Sequence, residues 1–320
     1  MEHWRRQLKT EAYTGQHMTI NIQNVLIYGF GVMGRGVAKT FVAAGYNTTV
    51  KTRRPVPEIE HLPGVRMVLE LPAQAPDLVI ELVAEEVTVK QAIYAEVETA
   101  YPNTPVLLAT GTSGLDLIEL AATLKRPECF LGLHYFMPAD TSRVVEVMAG
   151  LETPREVVDL MALVMEKTGK EPIRLYKPTV GFLLNRLQHA ILHEAYYLIQ
   201  NGVASAAEID HAARRLLAPR MCLNGLIQQK DISGLKIHAE AQRSIVPALF
   251  HSGVPADVLQ KLSDSGETGL SAKKGFYDWS ACDAVAVRSR SAENLQKLMN
   301  FIDEELPAPT PDIVPLARQF

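Results

Sequence analysis

Residues Asn24 to Tyr28 read NVLIY, a short unbroken apolar run that ends at a glycine. Such a run is the pattern of a strand buried on both faces of a parallel sheet. From Met33 to Ala44 the apolar positions recur at helical spacing, and Gly45 closes the run as a C-cap. Further strands are expected at Thr48–Thr52, Asp77–Ile80, Val106–Ala109 and Phe130–His134. Helical spacing fills the gaps between them, for example over Val89–Tyr101 and Leu115–Leu124. Arg155–Gly169 predicts another helix, and Glu171–Tyr176 a late strand. Strands alternating with helices predict βαβ units, hence an α/β, doubly wound parallel sheet.

Past Pro178 the period changes. Val180–Asn201, Ser205–Leu217 and Lys236–Phe250 carry helical spacing, and strand signals stop. The expected organisation is an extension over 1–17, an α/β domain over 18–178, an all-α domain over 179–306 and a Pro-rich, extended tail over 307–320. Met18 is an alternative start. A length of 320 residues suits two domains.

Composition narrows the class. The hydrophobic share is 47% and the charged share 21%, as in ordinary globular proteins. A net charge of −4 gives no electrostatic reason to expect nucleic acid or an anionic membrane as partner. Cys129, Cys222 and Cys282 are widely spaced, so neither a zinc site nor a dithiol motif is expected, and a cytoplasmic setting is. No apolar run is long enough to span a bilayer, and Met1–His17 lacks the apolar centre of a secretory signal.

The segment GFGVMGRG sets Gly29, Gly31 and Gly34 between a strand and a helix. The first glycine permits a tight turn, the second lets backbone approach a pyrophosphate, and the third lets helix and strand pack closely. The helix N-terminus at Val32 and Met33 adds N–H groups and partial positive charge. A dinucleotide is the expected ligand. About 20 residues on, an NAD enzyme carries an acidic residue for the ribose 2′-hydroxyl. This chain has Thr52, Arg53 and Arg54 there. The carboxylate is missing and two guanidinium groups are gained, so NADP is favoured over NAD.

His134 ends an apolar strand, where open parallel sheets carry their ligands. An imidazole suits reversible proton transfer at neutral pH. Glu146, twelve residues on in the next apolar segment, can hold the other ring nitrogen and fix the tautomer. Ser113 lies on a glycine-flanked turn, where its hydroxyl can bond a substrate oxygen. Alternatively, Thr112 and Ser113 cap a helix beginning near Leu115. Asn185 can donate its amide to the same oxygen, or serve a structural hydrogen bond.

These segments arrive in a fixed order: GFGVMGRG, ELVAEEVTVK (81–90), ATGTSGL (109–115), GLHYFMPADTSRVVEV (132–147), VGFLLNR (180–186) and KKGFYDW (273–279). Together they resemble the 3-hydroxyacyl-CoA dehydrogenase family, from Met18 to Trp279. The resemblance implies a Rossmann-type domain followed by a helical domain that forms a homodimer. It implies an active site of Ser113, His134, Glu146 and Asn185. It implies that Glu85 and Lys90 contact the nicotinamide half of the cofactor; without it, Lys90 reads equally well as an exposed helix residue.

The chain also departs from the family pattern. Met137 stands where the family has an asparagine near nicotinamide and substrate. Ser271 replaces a lysine, and Gly225-Leu226 replaces Gly-Pro. CoA-handling members carry a long helical hairpin after the second strand. Here the span Pro55–Leu71 holds Pro55, Pro57, Pro63 and Gly64 and cannot form two long helices. A free 3-hydroxy acid is therefore as open as an acyl-CoA, with Arg143 a candidate for its carboxylate. Two rivals remain: a non-catalytic redox sensor, and a decarboxylating β-hydroxyacid dehydrogenase with a lysine base.

Overall fold

A computed structural model describes residues 21–306 of the chain. The expectations for the first 17 residues, for Met18 as a start and for the Pro-rich tail lie outside the described residues. Contacts divide the chain into two compact units, with the division between Leu187 and Gln188.

The first unit is built on one eight-stranded sheet of order β3-β2-β1-β4-β5-β6-β7-β8. Its strands are β1 (Asn24–Tyr28), β2 (Asn47–Lys51), β3 (Val65–Val68), β4 (Leu78–Glu81), β5 (Leu107–Thr110), β6 (Phe130–Tyr135), β7 (Val144–Ala149) and β8 (Glu171–Leu175). Helices α1 (Val32–Ala43), α2 (Val87–Ala100), α3 (Leu117–Ala121) and α4 (Arg155–Lys167) pack on it. The unbroken apolar runs are explained by two cores. Val25 and Ile27 of β1 join Val37 and Phe41 of α1 on one face, and Leu26 and Tyr28 join Tyr94 and Val97 of α2 on the other. Each fully buried aliphatic side chain contributes roughly 1.5–3 kcal/mol.

Three departures from the expected pattern matter. The sheet is parallel only through β6; β7 runs antiparallel to β6, and β8 parallel to β7. A hairpin-like return thus replaces a helical crossover and sets His134 directly opposite Glu146 in register. Strand β3 falls inside Pro55–Leu71, where no strand is expected. It is an edge strand without a fully buried residue, so its periodicity is faint. The remainder of that span is a single 3-10 turn, Glu58–Glu60, and no long helix forms there. Finally, α3 is five residues long, shorter than expected, and starts only after an Asp116 N-cap.

The second unit is helical: the rest of α5 (Leu184–Gln200), then α6 (Ala206–Ala212), α7 (Ala218–Asn224), α8 (Gln228–Ser233), α9 (Leu235–Ile245), α10 (Asp257–Asp264) and α11 (Ala284–Glu305). A π-helical stretch, Ala213–Leu217, links α6 to α7. Aromatic pairs tie this unit together, Tyr197 stacking on Phe250 and Tyr196 on Phe276. Yet none of α5–α11 has a buried residue.

Candidate active site

The glycine-rich turn follows β1 at the point where sheet order reverses between β1 and β4, the position at which open α/β sheets bind ligands. Gly29 has φ +99°, and a Cβ there would lie 2.6 Å from the Leu82 carbonyl oxygen. A Cβ at Gly34 would lie 2.1 Å from the Gly29 carbonyl oxygen. Both glycines are therefore demanded by the fold. Gly31 is different: a Cβ there would meet nothing within 4 Å. The missing side chain leaves the start of α1 approachable from outside, beside the exposed Val32 and next to Met33. No side chain caps α1 and no acidic residue occupies its first turn, so its N–H groups face outward uncompensated. These features fit a dinucleotide pyrophosphate.

At the end of β2, the Thr52 hydroxyl donates to the Arg54 carbonyl at 2.8 Å. That bond spends the hydroxyl hydrogen on the turn. Arg53 and Arg54 are exposed and make no ion pair among the described residues. Arg35 stacks 4.2 Å over the Phe30 ring and pairs with Glu60 from the shortened span. Gly29, next to Phe30, bonds to the Lys51 carbonyl, which joins this loop to the end of β2.

Beyond β4 lies a buried polar network. Glu81 and Lys90 are both fully buried. The Lys90 ammonium donates to Glu81 Oε1 and Oε2 at 2.8 and 2.9 Å and to the Gly111 carbonyl at 2.9 Å. Thr110, Tyr94 and the Val83 N–H also donate to Glu81. Lys90 is thus not an exposed helix residue, and its ammonium has no surface of its own to offer a ligand. It reaches the rim through Glu85, 3.5 Å away. Glu85 in turn accepts from the Thr112 hydroxyl at 2.5 Å and from the Ser113 N–H at 2.8 Å. The Thr112 hydroxyl accepts from Leu115 N–H within the turn, whereas the cap of α3 is Asp116, which accepts from Ile118 N–H, so neither Thr112 nor Ser113 caps that helix. The Ser113 hydroxyl is exposed and makes no hydrogen bond among the described residues. Asn185 donates one amide hydrogen to the Ser113 carbonyl at 2.9 Å, which sets the two side by side.

His134 and Glu146 face each other across the β6–β7 ladder, with Nδ1 2.7 Å from Oε2. Glu146 is fully buried and His134 is 5% exposed. The second Glu146 oxygen accepts from the Leu183 and Leu184 N–H groups at 2.9 and 2.8 Å. The buried carboxylate therefore has a donor on each oxygen and cannot rotate freely. The ring packs against both Phe136 and Phe182, with centroids 4.4 and 5.1 Å away. With Nδ1 bound to Glu146, Nε2 is the nitrogen left for chemistry.

The loop after β6 is held from beneath. Lys170 is buried and donates to the Ala139 and Ser142 carbonyls at 2.6 Å each; burial lowers its pKa. The Lys39 hydrogen bond holds the Asp140 carboxyl below its ordinary range. Met137, on this loop, is 70% exposed and offers no amide. Arg143 is paired with Glu171 at the start of β8. That ion pair commits it to the β7–β8 edge and weakens its candidacy for a substrate carboxylate.

Several groups here have no counterpart in the sequence reading: Glu81, Tyr94 and Thr110 in the buried network, Arg35 and Glu60 beside the loop, and the Phe182–Leu184 turn. A lone acid ending the apolar run LVIE signals Glu81. The backbone donors of the turn carry no side-chain signal at all.

Comparison with known proteins gives the same framework. The family model described as 3-hydroxyacyl-CoA dehydrogenase, NAD binding domain, matches residues 60–179. The one described as 3-hydroxyacyl-CoA dehydrogenase, C-terminal domain, matches residues 181–279. The first match begins downstream of the Gly29–Gly34 turn and takes in Glu85, Ser113, His134 and Glu146; the second takes in Asn185. The 3-hydroxyadipyl-CoA dehydrogenase of Escherichia coli (strain K12) is 30% identical over 293 residues, covering 82% of this chain and 60% of the relative. This chain therefore spans little more than half of that relative's length. The probable 3-hydroxybutyryl-CoA dehydrogenase of Bacillus subtilis (strain 168) is 28% identical, covering 81% of this chain and 98% of the relative. The crystal structure of a 5-formyl-3-hydroxy-2-methylpyridine 4-carboxylic acid 5-dehydrogenase has a TM-score of 0.78 at 21% identity, covering 89% of this chain and 99% of that one, a likeness of fold.

Proposed function

This chain belongs to the 3-hydroxyacyl-CoA dehydrogenase family, and on that premise we propose that His134 is the acid–base of a reversible oxidation at the 3-hydroxyl of a 3-hydroxyacyl compound. The observation that carries this reading is the buried His134–Glu146 pair at 2.7 Å, beside the exposed Ser113 hydroxyl. The bound nicotinamide cofactor supplies the hydride acceptor or donor for C3. His134 Nε2 takes the hydroxyl proton in the oxidation and returns it in the reduction. Glu146 holds Nδ1–H and offsets the imidazolium charge. The Ser113 hydroxyl and the second Asn185 amide hydrogen hold the reacting oxygen. Gly31 and the Val32 and Met33 N–H groups receive the pyrophosphate. Lys90 fixes Glu85 and Gly111 at the nicotinamide end.

A lysine-based decarboxylating enzyme is disfavoured, because both buried lysines, Lys90 and Lys170, are committed to other partners. A non-catalytic sensor would have no use for a buried histidine–carboxylate pair.

Finer assignments belong to the same proposal. Arg53 and Arg54, with Thr52 spent on its own turn, support NADP over NAD. The single 3-10 turn after β2 leaves no long helices to hold CoA, which supports a free 3-hydroxy acid or a loosely held thioester. The alignment with the Escherichia coli relative extends over 293 residues yet takes up only 82% of this chain, so that relative carries segments missing here. The domain division at 178/179 is supported by where the two family matches meet. Homodimerisation through the helical domain is supported by helices that bury nothing on their own, with Ile227, Ile232 and Ile237 exposed. No helix among the described residues is long and apolar enough to cross a membrane. The three cysteines are free thiols, which supports a cytoplasmic setting.

The test is a screen of 3-hydroxy acids and their thioesters, following reduced nicotinamide by absorbance. His134→Ala should lower turnover by at least about a hundredfold with cofactor affinity retained. Turnover near the parental value in that variant would remove His134 from the role.

A further inference from the structure

Glu146 is held by more than its histidine. The chain enters α5 through Gly181, at φ +81°, and Phe182, at φ +54°. A left-handed conformation is costly for a bulky side chain. Two contacts depend on it. The Phe182 ring is fully buried against His134, and it lies over Gly132 so closely that a Cβ there would approach Phe182 Cζ to 3.0 Å. The turn also directs two successive N–H groups, of Leu183 and Leu184, onto one oxygen of Glu146. The Leu183 carbonyl accepts the first helical bond, from Leu187, so Leu184 is the first residue of α5.

We propose that the Gly181–Leu184 turn positions the acid–base pair: the Leu183 and Leu184 N–H groups act on His134 through Glu146, and the Phe182 ring packs on the imidazole directly. The proposal rests on the His134–Glu146 reading above. Two donors on Oε1 leave Oε2 as the one oxygen able to meet Nδ1. The strained residue is therefore part of the machinery that presents Nε2.

Leu184→Pro tests this directly, because proline is tolerated at the first helical position and removes a single N–H. The turnover number should fall by about tenfold or more, the loss expected for one hydrogen bond to a buried charge. KM and the cofactor dissociation constant should change by no more than about twofold, because the interaction is not with bound ligands. In a Glu146→Ala background, Leu184→Pro should cost nothing further, since the acceptor is gone. A second cycle uses Phe182→Gly, which relaxes the backbone while removing the ring, and it decides the matter if the proline variant fails to fold. Loss of the buried ring outweighs the relief of backbone strain, so stability falls as well; the reading is taken from the folded enzyme, whose turnover number should fall by about tenfold or more while KM stays within about twofold. The proposal is overturned if either folded variant keeps parental turnover, or if the Leu184→Pro loss is the same with and without Glu146. If His134→Ala itself keeps parental turnover, the underlying reading fails instead.

Discussion

Replacing Glu146 by glutamine keeps the volume and one carbonyl oxygen, so its effect isolates charge and hydrogen-bond polarity. The carboxylate accepts on both sides: from His134 Nδ1 at 2.7 Å, and from Leu183 and Leu184 N–H at 2.9 and 2.8 Å. A glutamine can accept on one side only. Turning its NH2 toward the two N–H groups would strand buried donors, at about 1–3 kcal/mol each. Turning the NH2 toward His134 avoids that cost, so this orientation wins. Nδ1 must then accept, and the neutral ring carries its proton on Nε2. A nitrogen that already holds a proton cannot take one from the substrate hydroxyl, and the imidazolium loses its compensating charge. The equivalent change in a serine-protease triad costs about 10⁴ in turnover. A loss of roughly 10³–10⁴ is expected here, with melting temperature and cofactor affinity little changed. The assay is steady-state turnover by nicotinamide absorbance, with thermal melts and a cofactor titration on the same preparation. Turnover within tenfold of the parent, in a folded variant that binds cofactor, would refute the tautomer argument.

The remaining predictions touch cofactor choice, the buried network and alkaline stability. Changing Thr52 to Asp together with Arg53 to Gln should shift the ratio of kcat/KM values from NADP toward NAD; a parent enzyme equally efficient with NAD would reduce both arginines to surface charges. Lys90→Met strands the Glu81 carboxylate in a fully buried site and should destabilise the chain by about 3–5 kcal/mol in urea unfolding. Adding Glu81→Gln should recover most of that loss, and a single-variant cost under about 1 kcal/mol would contradict the network. Burial raises the pKa of Tyr28, Tyr94 and Tyr135 above the ordinary value of 10.0. Between that value and the raised ones the unfolded chain loses phenolic protons that the folded chain keeps, so stability is full below about pH 10 and falls as pH rises further. The tyrosinate absorbance of these three should therefore appear only with unfolding, and ionisation of all ten tyrosines in a folded protein would contradict the burial.

How far the fold was legible follows from where its side chains are buried. Strands β1, β4, β5 and β6 are buried on both faces, so their residues must be apolar at nearly every position, and the sequence announces them. Strand β3 is half-buried at an edge, and its VRMV gives no clear period. Strand β7 was visible as an apolar segment, but nothing in VVEVMA says which way it runs. In the second unit no helix has a fully buried residue, yet α5, α6 and α9 still show helical spacing. Helices α7, α8, α10 and α11 are not read from the sequence; α7 and α8, at seven and six residues, are too short to show a helical period.

The site divides along another line: side-chain chemistry could be read, and backbone chemistry could not. Twelve positions separate His134 from Glu146, a spacing that by itself permits any relative placement. The antiparallel return of the chain turns that spacing into an opposed pair in register. What fixes the carboxylate comes from a third segment, through two amide groups that any residue but proline would supply. Lys90 makes the same point from the other side. Its charge could be assigned to the nicotinamide end only by likeness. Its depth, and its dependence on Glu81, Tyr94 and Thr110, required the folded chain. Both ionisable centres are held by groups on other elements, so substitutions away from the charged residues themselves should still change the chemistry. The strained Phe182 turn is the sharpest case: it lies within VGFLLNR, yet its hold on Glu146 runs through backbone N–H groups that no side-chain pattern specifies.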